Sequence, residues 1–217
     1  MIDSGKAYWE RTAKGYDLSM RLFGGPLAAM LPLVVEEVTG LGHVLELAAG
    51  TGLVTAAIAP AVHELFATDY AEAMVQKLEE RGEAAGWTNV QTRVLDVYAL
   101  EQVPTYDAIV ASNVLHLLPD IDRALDAMLG ALRPGGRLVL PTYCHSETWL
   151  AQGTSRLLGL FGFPGRRRLT GDSLVSMLTN RGLNIRRVAL LPGLIPIGFV
   201  SVELAPSTLT QGTAHEL

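Results

Sequence analysis

Apolar positions along the chain switch repeatedly between a helical period and short strand-like runs. Residues 6–17 read as a short helix ending at Gly15-Tyr16-Asp17. Pro26 then opens an amphipathic helix with Leu27, Met30, Leu31, Val34, Val35 and Val38 on one face, in which Pro32 predicts a kink. After Gly40 and Gly42, the run His43-Val44-Leu45-Glu46-Leu47 is strand-like, and Gly52 leads into an apolar helix to about Val62. The alternation continues with a strand at 64–68, a helix at 71–85 carrying Ala71, Met74, Val75 and Leu78 at helical spacing, and a strand at 89–95. A near-continuous apolar strand from Tyr106 to Ala111, a helix at 120–132, a turn at Pro134-Gly135-Gly136 and a strand at 137–141 come next.

Strands alternating with helices of this length imply βαβ units, and so an α/β fold with a doubly wound, mostly parallel seven-stranded sheet. The rhythm changes after Tyr143. Residues 144–170 hold Trp149, Leu150, Leu157, Leu158, Leu160, Phe161 and Phe163 among several glycines and end in Arg166-Arg167-Arg168, which reads as an apolar lid inserted after the fifth strand. A helix at 172–181, capped by Thr170 or Asp172 and closed near Gly182, precedes strands at 184–191 and 196–204. The expected organisation is one domain over 1–205, with 1–42 as an N-terminal helical cap and 206–217 as a frayed tail.

Composition narrows the function. A chain of 217 residues with 49% hydrophobic residues can bury a real core. A net charge of −5 gives no general pull toward phosphate backbones, so nucleic acid is not an expected partner. Cys144 is the single cysteine and cannot form an internal disulfide, and no run reaches the roughly 18 apolar residues of a membrane span; a cytoplasmic protein is expected. No His/Cys cluster has metal-ligand spacing, so no metal is expected.

The first strand–helix turn carries the chemistry. Gly50 and Gly52 let a ligand approach the backbone, but such turns also serve nicotinamide and flavin dinucleotides. The dinucleotide fingerprint needs glycine or alanine three residues after Gly52, where Thr55 stands, and a pyrophosphate usually meets a helix start free of nearby acid, whereas Glu46 precedes this turn. A carboxylate there suits a ligand with an ammonium group. Asp69, ending the second strand, is placed to accept hydrogen bonds from both hydroxyls of a ribose. An amino acid joined to a nucleoside satisfies both, while each acid also has a structural reading as a turn or cap residue.

As a set, these residues resemble the class I S-adenosylmethionine-dependent methyltransferases, in particular the small-molecule group that includes the ubiquinone and menaquinone biosynthesis enzymes. The resemblance covers about residues 8–143. The family's acidic, glycine-rich turn appears as Glu46-Leu47-Ala48-Ala49-Gly50-Thr51-Gly52, with alanine for the first glycine. The resemblance implies S-adenosyl-L-methionine as cofactor and S-adenosyl-L-homocysteine as product. It assigns Asp69 and Tyr70 to the ribose segment, Met74 to the adenine face, Asp96 and Val97 to the adenine edge, and Ser112 and Asn113 to the strand end facing the methionine and the acceptor. It also matches Tyr16 to a Tyr-Asp pair that covers the cofactor or anchors the N-terminal helix.

Methyl transfer from a sulfonium is an in-line displacement in which the protein mainly positions the partners and excludes water. A hydroxyl acceptor usually needs a base, and histidine is best tuned for that near neutral pH. His116 follows the fourth strand and His145 the fifth, where open α/β sheets place ligands; His145 is the favoured base or acceptor contact. Tyr143, Glu147 and Trp149 are candidate acceptor contacts, and the apolar lid points to a small, fairly hydrophobic acceptor methylated at oxygen. Packing or solvent exposure is an equal account of each histidine. The lid and its arginines also permit weak contact with an anionic membrane and a phospholipid acceptor, though a lid packed on its own core is the simpler reading. Three alternatives stay open: N-, C- or S-methylation, a noncatalytic S-adenosylmethionine-binding regulator, and a nicotinamide oxidoreductase.

Overall fold

The computed structural model describes residues 4–23, 25–160 and 163–206. Eight strand segments among these residues form one sheet: β1 (His43–Leu47), β2 (Glu64–Asp69), β3 (Val90–Val94), β4 (Tyr106–Ala111), β5 (Leu132–Val139), β6 (Thr142–Tyr143), β7 (Asn184–Leu191) and β8 (Ile197–Glu203). Strands β3-β2-β1-β4-β5 run parallel in that spatial order, and β8 pairs antiparallel with β5 on one side and β7 on the other. β6 continues the line of β5 beyond Pro141, because the Leu140 amide donates to Val200 and Thr142 then pairs with Gly198. The eight segments therefore make the seven strand lines that the hydrophobic pattern predicts, mostly parallel and Rossmann-like.

The central strands β1 and β4 are covered on both faces, which explains their near-continuous apolar runs. Helices α2 (Gly25–Val38), α3 (Leu53–Ile58) and α4 (Glu72–Ala85) cover one face, where Met30, Val34, Ile58, Leu65, Leu78 and Phe199 are buried. Helices α5 (Ile121–Ala131) and α7 (Gly171–Thr179) cover the other, around Leu125, Met128, Leu138, Leu174 and Val200. The Asp107 carboxyl locks the start of the central strands: it accepts the His43 amide at 2.8 Å and the Arg133 guanidinium at 2.7 Å, interactions that hold it below the usual carboxylate range.

Helix α2 contains Pro32, as the apolar stripe on both sides of it predicts. Three expectations change. Helix α1 (Ser4–Phe23) does not stop at residue 17 but continues past Gly15. The Pro134-Gly135-Gly136 turn does not precede the fifth strand; it lies inside it as an irregularity, with Leu132 opposite Tyr106 and Arg137 opposite Ala108. The lid segment forms helix α6 (Trp149–Leu160), in which Ala151 is buried while Trp149 and Leu160 are 82% and 83% exposed, so these apolar side chains are not packed onto a core. The expected tail lies, from residue 207 onward, outside the described residues. No helix among the described residues is long and apolar enough to cross a membrane.

Candidate active site

The turn from β1 to α3 is built on three left-handed residues: Ala48 at φ 55°, Gly50 at φ 57° and Gly52 at φ 85°. Only glycine takes this region without cost, so Ala48 carries strain of about 1–2 kcal/mol relative to a right-handed residue. A Cβ on Gly52 would stand 2.6 Å from Leu78 Cδ1, so this glycine is needed for α4 to pack against the turn rather than for ligand approach. The Gly50 amide donates to Asp69 Oδ2 and the Ala71 amide to Asp69 Oδ1, both at 2.9 Å, which ties the turn to the end of β2.

Glu46, on β1, is 1% exposed, and Thr55 Oγ1 on α3 donates to its Oε2 at 2.6 Å. Burial, reinforced by the nearby Asp69, pushes the Glu46 carboxyl up to about 8 despite the Thr55 bond. Burial also raises Asp69, to about 6, against three backbone hydrogen bonds that lower it. Two acids kept this dry are costly when charged unless a cation or hydrogen-bond donors arrive with the ligand.

These groups face a cavity of about 320 Å³ at the carboxyl ends of β1, β2 and β4. Glu46, Ala48, Gly50 and Asp69 line one part of it, and Tyr70, Met74, Asp96 and Val97 another. Ser112 and Asn113 line it from the end of β4. Met74 is both cavity wall and buried core, and Asp96 also caps the following turn by accepting the Tyr98 amide at 2.9 Å. Of the sequence-predicted set, Thr51 and Gly52 are not among the lining residues, and the Tyr16 side chain lies outside the described residues. Trp9 on α1 and Leu27 on α2 close the cavity from the N-terminal side. Sequence reasoning missed both, since a large apolar residue on a helical stripe signals core as readily as cover.

The donor set fits S-adenosylmethionine. A buried carboxyl such as Glu46 could hold an ammonium, Asp69 a pair of ribose hydroxyls, and Asp96 beside the apolar Met74 and Leu95 an adenine, and all of them line this one cavity.

Beyond Asn113 lies a second cluster. His116 and His145 are 1% and 2% exposed, with ring centroids 4.8 Å apart, and Tyr143 lies about 6 Å from each. Phe163 stacks on His116 at 6.0 Å and 18°, and Tyr8 and Trp9 of α1 meet Phe163 edge-on at 6.2 Å. Phe163 gives no sequence signal beyond its place in an apolar run. Thr142 Oγ1 is 3.2 Å from His116 Nδ1, but Tyr143 Oη, both ring nitrogens of His145, Asn113 Oδ1 and Ser112 Oγ are buried without a hydrogen-bond partner. Burial depresses His116 to about 3, helped by His145, and burial with the positive charge of Arg168 depresses His145 to about 4; both rings are neutral at pH 7. The structure thus brings His116, His145 and Tyr143 together, beside the cavity rather than lining it. Glu147 and Trp149 are elsewhere: Glu147 Oε2 accepts the Gly171 amide at the start of α7, at 2.8 Å, and Trp149 faces solvent. Among the described residues no group of three or more His, Cys, Asp or Glu is arranged to hold a metal ion.

Comparison with known proteins agrees with this geometry. Residues 45–138 match a family model described as a methyltransferase domain. The chain is 32% identical over 128 residues to the probable non-canonical nonribosomal peptide synthetase CymA of Salinispora arenicola, covering 56% of the chain and 2% of that protein. It is 34% identical over 119 residues to the demethylmenaquinone methyltransferase of Thermobifida fusca, covering 54% of the chain and 48% of that enzyme. The chain therefore spans less than half the length of these relatives. The solved structure of DhpI with S-adenosyl-L-homocysteine superposes with a TM-score of 0.71 at 21% identity, over 95% of the chain and 98% of DhpI. Residues 45–138 are thus similar to a methyltransferase domain, and the strand order is that of the Rossmann-like fold shared with the solved methyltransferase structures.

Proposed function

We propose that this protein transfers the methyl group of S-adenosylmethionine to a small, fairly hydrophobic acceptor, preferentially at oxygen. The observation that carries the reading is adjacency: a cavity lined by two buried acids at a glycine turn is also lined by Ser112 and Asn113 at the end of β4, and the segment that follows carries His116, packed on His145 and Tyr143, whose side-chain polar atoms are buried without partners. Glu46, Asp69 and Asp96 would hold the cofactor, which supplies an activated methyl group on a sulfonium. The chain then has to exclude water, orient the acceptor and take a proton where the acceptor carries one. His145 Nδ1 or Nε2 is the group for that proton, because a neutral ring with both nitrogens uncommitted accepts one without first losing its own.

Asp69→Ala should weaken S-adenosylhomocysteine binding by ~1–3 kcal/mol, the range for losing a charged hydrogen-bond partner. Unchanged affinity in calorimetric titration of the folded variant removes Asp69 from the ribose role. His145→Ala should depress turnover far more than cofactor affinity. Since the ring is held near 4, the acid limb of kcat/KM should fall near that pH rather than near 6.5, with a plateau through neutrality. A limb at 6.5, or full turnover in the variant, excludes His145 as the base. The acceptor itself is sought by a methyl-transfer screen with product mass and position determined.

One observation favours a second reading. Phe163 roofs the histidines, so the acceptor side is closed in this conformation, as in a protein that binds the cofactor without transferring its methyl group. Cofactor binding with no transfer to any hydroxyl, amine, thiol or lipid in the screen selects that reading.

A further inference from the structure

Helix α6 is turned inside out for a helix of a globular protein. Trp149, Leu150, Leu157 and Leu160 are exposed, while the polar Gln152, Thr154 and Ser155 are half-buried on the side of Ala151, the buried residue of the helix. Trp149, Arg156 and Leu160 recur at helical spacing, so one exposed stripe carries an indole, a guanidinium and an isobutyl group, with Leu150 and Leu157 beside it. Large apolar side chains gathered on one exposed helix face make a contiguous patch, which marks a surface that meets a partner.

Charge is segregated on the same segment. Residues 148–171 hold Arg156, Arg166, Arg167 and Arg168, all exposed, and no Asp, Glu or Lys, in a chain whose net charge is −5. The arginine run is tied back near the helix: the Phe163 amide donates to the Leu158 carbonyl at 3.2 Å, and the Arg166 and Arg167 amides donate to the carbonyl of His116, on whose ring Phe163 stacks, at 2.9 and 3.0 Å. An apolar face with a tryptophan, accompanied by cations and free of acid, complements the surface of an anionic bilayer. A second copy of the chain complements it poorly, since a two-fold contact through this face gathers the arginines of both copies with no acid on the segment to pair them.

We propose that α6 docks this protein on an anionic phospholipid bilayer, with Trp149, Leu150, Leu157 and Leu160 entering the boundary between headgroups and acyl chains and the arginines meeting the lipid phosphates. The contact is peripheral, because a helix of 12 residues lies along the interface and is too short to cross it. It brings lipid to the end of the molecule where Phe163 covers His116 and His145. The docking is a property of this surface and does not depend on methyl transfer.

The test is flotation of the full chain, without cofactor, on vesicles of equimolar phosphatidylcholine and phosphatidylglycerol and on vesicles of phosphatidylcholine alone. The chain should float with the mixed vesicles, bind the neutral ones at least about tenfold more weakly, and detach as salt rises. Arg156→Gln and Arg168→Gln should each weaken binding about fivefold, and Trp149→Ala combined with Leu160→Ala at least about tenfold. These four side chains are exposed, so the variants should keep the parent fold by circular dichroism. Trp149 also reports in the unaltered chain: mixed vesicles should shift its emission to the blue, a shift missing in Trp149→Phe. No flotation with the mixed vesicles, equal flotation with the neutral ones, or undiminished binding in the Trp149→Ala/Leu160→Ala variant each overturns the proposal. A blue shift that grows with protein concentration in the absence of lipid, together with a dimer in sedimentation, assigns the face to a second copy and overturns it as well. Failure to float leaves the methyltransferase reading standing, and failure to bind S-adenosylhomocysteine leaves the docking standing.

Discussion

At the residue scale, Glu46 shows how a binding site costs stability. The folded protein holds protons on Glu46 and Asp69 more tightly than the unfolded chain, near 8 and 6 against ordinary values of 4.5 and 3.8. Their favourable contribution is complete below the unfolded values and is lost as pH rises through 6 and 8. His116 and His145, with folded values near 3 and 4, act oppositely, contributing above about 6.5 and losing that contribution as pH falls through 4 and 3. Glu46→Gln in the ligand-free protein should therefore melt higher than the parent at pH 9, with the gap closing toward pH 5, while cofactor affinity falls. A scanning-calorimetry series with the gap reversed would contradict the burial of an uncompensated acid. Ala48→Gly should stabilise by about 0.5–1 kcal/mol, the relief of the left-handed strain less the added chain entropy, read from urea unfolding. The acids are legible in the sequence because charge interrupts apolar strands there. Thr55 is legible only as a departure from the dinucleotide pattern; its bond to Glu46 needs the packing of α3 on β1.

At the element scale, the strands are the most legible parts, since β7 and β8 fall within a residue of the runs read from alternation. Elements set by tertiary contact are not. Helix α1 outlasts its local stop signal at Gly15, and ahead of that point Ala13 and Trp9 pack on the start of α4 while Glu10 accepts the Glu72 and Ala73 amides at 2.8 and 3.1 Å, capping α4 from another helix. β5 absorbs its Pro-Gly-Gly turn because Leu132 finds a partner in Tyr106. The β1–α3 turn gives the sharpest test at this scale. Gly52→Ala combines a left-handed φ with a Cβ 2.6 Å from Leu78, and it should destabilise by about 2–3 kcal/mol in chemical denaturation. Leu78→Ala added to Gly52→Ala should recover part of the lost packing, so that the pair is less than additive.

At the scale of the whole molecule, the sheet brings residues from β1, β2, β4 and β6 to one edge, and α1 closes over them. The polar residues that line the cavity are legible in the sequence because they lie at successive strand ends, a regularity of open α/β sheets. The sequence could not place Trp9 or Phe163, whose roles depend on how α1 and the segment after α6 meet across the top of the sheet. That meeting has a kinetic consequence. Trp9 walls the cofactor cavity and also touches Phe163, which covers the histidines, so one aromatic contact serves both compartments. A cofactor that fixes Trp9 would set Phe163 before an acceptor can enter, and a bound acceptor would trap the cofactor behind it. Steady-state turnover should then follow a compulsory order: S-adenosylhomocysteine competes with S-adenosylmethionine, and the methylated product inhibits noncompetitively against it. Trp9→Ala should uncouple the compartments and turn that order random.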